Sequence, residues 1–168
     1  QLFPERVGRF VLDGAVDPAQ SYRTAMIDQM AGFEDALHRF FAACDTEPGC
    51  AFAGDGPGGT EARFQALYQR AASDGLPVAG GDDALDVGEL IGGFAGYLYG
   101  GHAAFPVLAE LFAMADSGDA TQLALAAEAS TAGALGQYFA VICADADTIY
   151  GRPEANFATW SLRDRAEI

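Results

Sequence analysis

The side chains best able to do covalent chemistry are few and widely spaced. Five serines (Ser21, Ser73, Ser117, Ser130 and Ser161) and two histidines (His38 and His102) are the candidates for nucleophilic catalysis. A serine oxygen becomes a nucleophile only when an oriented imidazole takes its proton, and one common way of exposing it is a strained Gly-x-Ser-x-Gly turn. None of the five serines has that setting. His38 falls in a helix-patterned segment and His102 on a turn before Pro106. Both read as structural, and neither makes a triad within this chain.

Carboxylates stand close together at Asp82-Asp83 and at Asp145 and Asp147. The spacing of a calcium loop with its closing Glu is missing, so solvated turn carboxylates are the default and no metal is expected. Asp145 has a sharper reading as a substrate contact, because it follows a strand-like run. The glycine-rich stretch 51–59 lacks both a preceding strand and a Gly-Lys-Ser/Thr ending, so it reads as a loop and not as a phosphate cradle. Cys44 and Cys50 enclose Asp-Thr-Glu-Pro-Gly, and a Pro-Gly turn can fold that segment until the sulfurs meet. A disulfide is expected there, with two reduced thiols as the alternative, and it would place the protein outside the reducing cytosol. Neither His lies at ligand spacing from a cysteine pair, which argues against zinc. Cys143 has no evident partner.

A formal net charge of −15 arises from 24 acidic residues against 9 basic ones, every one of which is Arg. A phosphate backbone needs a positive stripe, and an anionic lipid surface would repel this chain, so neither nucleic acid nor membrane is an expected partner. The complete absence of Lys reads as coding bias in a high-GC genome. No apolar run approaches the ~20 residues of a membrane span, and no signal-peptide series marks the start.

The elements that must position these groups are mostly helices. Residues 7–16 form an apolar run closed by Asp17-Pro18, which suits a buried core strand. Such a strand needs neighbours on both sides, and an unpaired one exposes edges that invite association with a second copy. From Ala19 to Cys44 the residues Tyr22, Met26, Met30, Phe33, Leu37 and Phe40 or Phe41 fall on one helical face. Thr60 is expected to cap a second helix reaching Ser73, with Phe64, Leu67, Tyr68 and Ala71 inward. Leu76-Val78 and Ala84-Asp86 read as a small hairpin, and Asp86 as the cap of a third, glycine-rich helix over 87–99. A fourth helix is expected from Pro106 to Ser117, and a fifth from Asp119, with Gln122 completing a capping box, to Ala132. Tyr138–Cys143 is a short β-prone run.

The segment Phe3-Pro4-Glu5-Arg6-Val7-Gly8-Arg9-Phe10-Val11-Leu12-Asp13-Gly14-Ala15-Val16-Asp17-Pro18 resembles the strand after the nucleophile helix in α/β-hydrolases of the secreted tripeptidyl aminopeptidase family. The helix containing Gly32-Phe33-Glu34-Asp35-Ala36-Leu37, the cysteines 44 and 50, and Ala140-Val141-Ile142-Cys143-Ala144-Asp145 are similar to that family's lid and to the motif following it. The resemblance implies a mainly α chain, the helical lid or cap of an α/β-hydrolase, with one N-terminal core strand and a short hairpin. Residues 1–18 would be a helix end and core strand, 19–137 the lid, and 138–168 the return towards a missing core. It implies a secreted or cell-envelope bacterial serine exopeptidase that releases short peptides from a free amino terminus without a cofactor, or else a related esterase. The family's nucleophile would precede this chain and its acid and base would follow it. No catalytic residue is therefore carried over, and the chain alone is expected to be inactive. Cys143 would pair with a cysteine beyond Ile168. The expected partners are the missing core and, in the parent, a peptide; the alternative is a stand-alone helical module that self-associates through the orphan strand.

Overall fold

The computed structural model describes residues 5, 8, 9, 11, 22–80 and 84–132. By its internal contacts the chain divides into two units, residues 1–28 together with 143–168, and residues 29–142. The expected strand over 7–16 falls largely outside the described residues, and the run 138–143 wholly so. The first unit contributes little more than the opening of a helix to the description.

That helix, α1 (Tyr22–Thr46), follows the apolar spacing of its sequence, but its burial is graded. Met30 is 51% exposed, whereas Phe40 is 1% exposed. The apolar face is therefore longer than the core against which its last turns pack. Near its middle the Gln29 side-chain amide donates to the Tyr99 hydroxyl at 3.0 Å, and Phe33 meets the Tyr99 ring edge-on at 5.4 Å.

Helices α2 (Gly59–Ser73), α3 (Val87–Leu98), α4 (Phe105–Asp116) and α5 (Thr121–Ala132) follow among the described residues, with β1 (Leu76–Pro77) and β2 (Ala84–Leu85) between α2 and α3 and a short 3-10 helix (Gly101–Ala104) leading into α4. The two strands pair antiparallel, Leu76 opposite Leu85 and Pro77 opposite Ala84. This is the hairpin read from the sequence. The Ala120 N–H donates to the Pro77 carbonyl at 2.8 Å, which fixes the hairpin to the start of α5.

Phe112 on α4 organises the core. Its ring lies 5.2 Å from Phe64, 5.4 Å from Phe52, 5.5 Å from Phe94 and 5.7 Å from Phe40, so α1, α2, α3 and the 51–58 loop all meet there. Tilted and edge-on pairs of this kind add about 0.5–1.5 kcal/mol each beyond the area they bury. On the other side of α3, a Cβ built on Gly93 would come within 2.5 Å of the Leu123 carbonyl oxygen. Glycine there lets α3 and α5 approach backbone to backbone, which explains part of the glycine content of α3.

The helix starts show where local signals held and where they were displaced. Asp86 and Glu89 form the full reciprocal capping box of α3, at 2.9 and 3.0 Å. Pro106 occupies the first turn of α4, where its missing N–H leaves no bond unmade. At α5, Asp119 accepts from the Thr121 N–H at 3.0 Å, two residues on, so its carboxylate closes a local turn just outside the helix in place of the expected box with Gln122. Thr60 is not the cap of α2. It lies inside the first turn, fully buried, and the capping carboxylate comes from Asp45 at the end of α1.

Candidate functional site

The end of α1 and the chain after it build the most distinctive local structure. Thr46 turns its hydroxyl back onto the Ala42 carbonyl at 2.9 Å, and the Glu47 N–H donates to the Ala43 carbonyl at 2.8 Å, so the helical path persists to Glu47. Pro48 and Gly49, the latter at φ 88°, then reverse the chain, and Cys50 meets Cys44 in a disulfide with Cα atoms 5.3 Å apart. That separation is ordinary for a bridge. The bond ties the last turn of α1 to the loop beyond it.

This closure orients two carboxylates in different directions. Asp45 Oδ2 accepts from the Gly58 N–H at 2.6 Å, and Oδ1 from the Thr60 N–H at 3.0 Å, which satisfies two of the orphan donors at the start of α2. The Thr60 hydroxyl also donates to Asp45 and accepts from the Gly54 N–H at 3.2 Å. These bonds, the hydroxyl's first and then the two N–H groups', hold the Asp45 carboxyl below its usual pKa. Gly54 and Gly59 are so close that a Cβ on Gly54 would strike the Gly59 carbonyl carbon at 2.0 Å. Asp45 is thus a fixture of the fold, not a group free for catalysis.

Glu47 faces the other way. Its Oε1 lies 2.6 Å from His102 Nε2, and the His102 ring rests 5.3 Å from Phe105. Beside this pair is a cleft of about 160 Å³ between the last turns of α1, the disulfide loop and the first turns of α4. Phe40, Phe105 and Ala109 form its apolar floor, Cys44 and Cys50 a wall, and Glu47 and Glu110 its rim.

The groups able to catalyse are not assembled. Ser73 donates to the Arg70 carbonyl, Ser117, just past the end of α4, to that of Met114, and Ser130 to that of Ala127, each at i−3. His38 lies 3.9 Å from both Glu34 and Glu61, and His102 is engaged by Glu47. Among the described residues no serine hydroxyl is therefore positioned by an imidazole, and no cluster of three His, Cys, Asp or Glu side chains has metal-site geometry. Asp82, Asp83, Asp145, Asp147, Ser21, Ser161 and Cys143 lie outside the described residues. No described helix is long and apolar enough to cross a membrane.

One polar assembly went unread in the sequence. Arg63 Nε donates to Asp116 Oδ2 at 2.7 Å and Arg70 to Oδ1 at 2.6 Å, while Arg63 also lies over the Phe52 ring at 4.5 Å. Two arginines seven residues apart on one helix share a face, so the clamp on the end of α4 had a legible half. The position of Asp116 did not.

No family model matches the chain. Two curated proteins of Mycobacterium tuberculosis (strain ATCC 25618 / H37Rv) match in part: the serine protease Hip1 at 42% identity over 53 residues, and carboxylesterase B at 44% over 50 residues. The stretch so matched is hydrolase-related. It makes up 32% and 30% of this chain and only 10% of each relative's length, so the chain corresponds to a small part of those enzymes. A putative hydrolase of Mycobacterium bovis matches to the same extent as the esterase.

Proposed function

We propose that this chain is the lid-bearing part of a secreted serine exopeptidase-like α/β-hydrolase, gating access of short peptides to a triad that the chain does not itself contain. The observation that carries the reading is the connectivity. Residues 29–142 are contiguous and have their own aromatic core, while the residues before and after them group together as the other unit. A contiguous unit set between two halves of another is how an insertion is built, and a lid is an insertion into a catalytic fold. The similarity to a serine protease and an esterase supports hydrolase ancestry. The 44–50 disulfide is compatible with an extracellular setting. Closing lids exclude water and limit substrate size, which is the role assigned to the helices. Asp145 is proposed to contact substrate where the return segment enters the core, and Cys143 to pair outside this segment.

The test uses a fluorophosphonate, which labels activated serines. The 168-residue chain is expected to remain unlabelled and to leave tripeptidyl chromogenic substrates intact. Its parent reading frame is expected to label at a serine outside the chain. Replacing residues 29–142 of the parent by a short Gly/Ser linker should preserve labelling and relax discrimination between short and long peptides. Labelling of the chain itself, or unchanged size discrimination in the linker variant, would overturn the reading.

A further inference from the structure

We propose that the 44–50 disulfide is a redox latch: its reduction frees residues 47–51 as a flap and uncovers the aromatic surface beside them, while the helices on either side stay in place. The proposal does not rest on the lid reading, since it needs neither a catalytic core nor the flanking segments. Three observations carry it.

The bond can be reached from one side. Cys44 is 4% exposed, whereas Cys50 is half-buried, and both line the cleft at the end of α1. An incoming thiolate therefore meets Cys50 first. It attacks Cys50 Sγ, the S–S bond breaks, and Cys44 leaves as a thiolate that takes a proton from water. The second sulfur of a dithiol then displaces Cys50, so the reagent departs as its own disulfide, and two electrons and two protons remain on the cysteines.

The chain path around the bond has its own noncovalent ties. On the α1 side, Asp45 holds the Gly58 and Thr60 N–H groups at 2.6 and 3.0 Å. On the other side Phe52 is wholly buried, its ring 5.4 Å from Phe112 and covered by the Arg63 guanidinium, and the Ala53 carbonyl accepts from Arg63 at 3.1 Å. Residues 45 and 52 are thus fixed whether or not the sulfurs are joined. Reduction stops at these two anchors.

What lies between them is held weakly. Residues 46–49 and Ala51 are exposed, and the backbone bonds of Glu47 to Ala43 and of Ala53 to Cys50 tie only the two ends of the segment. The remaining tie is the Glu47–His102 pair, and an exposed pair of this kind holds little by itself. Phe40, Phe105 and Ala109 border the same cleft yet are only 1%, 9% and 2% exposed. Their apolar surface is covered while the latch is closed. The latch therefore couples the thiol–disulfide poise of the surroundings to the exposure of that surface.

The probe is dithiothreitol, added to the intact chain without denaturant, with alkylation read by peptide mass so that Cys44 and Cys50 are distinguished from Cys143. Both thiols are expected to become alkylated while the near-UV circular dichroism of the aromatic core persists. Order parameters from ¹⁵N relaxation at Gly49, Cys50 and Ala51 should fall from about 0.85 to below about 0.6, and those at Gly58, Thr60 and Leu67 should not change. Emission of the neutral dye Nile red should rise about twofold or more as apolar surface opens. Cys44→Ser with Cys50→Ser should give the same mobile flap without reductant, and in Asp45→Asn the loss of order on reduction should spread to Gly58 and Thr60. A bond that resists dithiol until the chain unfolds, order retained at residues 49–51 after reduction, or order lost at Gly58 and Thr60 with Asp45 in place would each overturn the proposal, the last by making the disulfide a staple of the fold.

Discussion

Asp45 shows how far one carboxylate can act from its place in sequence. It follows a half-cystine, ends one helix and caps the next, accepting from Gly58 and Thr60. Because those bonds favour the ionised form, its folded-state pKa is depressed relative to the unfolded chain, and Asp119 is depressed in the same way, first by the Thr121 hydroxyl and then by the Thr121 N–H. The sign follows from linkage. A carboxyl with a lowered folded pKa stabilises fully above its unfolded value, about 3.9, and that contribution disappears as pH falls through the folded value. Asp45→Asn keeps one acceptor oxygen, loses the other and cannot titrate. Its urea midpoint should be lower than that of the parent sequence at pH 6, and the gap should narrow as pH drops from about 4 to 2. A gap constant across that range would mean that Asp45 acts through packing alone. Thr60 shows why this cap is hidden in the sequence: a threonine two residues after the 56–58 turn looks like a helix start, and only the closure of the 44–50 loop brings a better acceptor to the same N–H groups.

At the scale of elements, the glycines of α3 separate two effects that sequence cannot distinguish. A Cβ on Gly93 would meet the Leu123 carbonyl oxygen at 2.5 Å, whereas one on Gly96 meets nothing within 4 Å. Alanine is favoured over glycine in a helix interior by about 1 kcal/mol, so Gly96→Ala should stabilise by about 0.5–1 kcal/mol. Gly93→Ala gains the same backbone term but must push α5 away, and overpacking of this kind typically costs about 1–3 kcal/mol, so the net effect should be destabilising. Denaturant midpoints of the two variants should move in opposite directions; a shift of the same sign in both would show that α3 and α5 can separate without cost. Helix existence and order were legible because the periodic apolar residues, Pro106 and the Asp86 cap are local signals. The hairpin was legible for the same reason. The cleft, the Asp45 cap and the Arg63–Asp116–Arg70 clamp were not, because each depends on which helix ends meet in space. The graded burial of α1 was also hidden: Met30 and Phe40 carry the same pattern in sequence, and only the extent of the core distinguishes them.

At the scale of the whole chain, charge decides how stability responds to solution conditions. The excess of 15 negative charges over positive, with a calculated pI near 4.1, means that the folded chain repels itself at neutral pH. Exposed ion pairs such as Arg39–Asp35, at 2.6 Å, oppose this, yet a pair of that kind is worth only about 0.3–0.5 kcal/mol. Salt weakens both effects. At about 10 mM ionic strength the Debye length is about 30 Å, so repulsion acts across the molecule; at about 150 mM it is about 8 Å, and mainly near neighbours still interact. With only 9 basic residues to pair against 24 acidic ones, the long-range term should prevail. The thermal midpoint should therefore rise as NaCl is increased from 10 to 150 mM at pH 7, and level off above that. The same reasoning requires the rise to shrink at pH 5, where protonation has begun to reduce the net charge, while Asp45 and Asp119, both lowered by their hydrogen bonds, remain ionised. A midpoint that falls with salt at pH 7 would show that the ion pairs, the Asp116 clamp foremost, outweigh the repulsion, and that the acidic surface is held together by its few arginines instead of being strained by their scarcity.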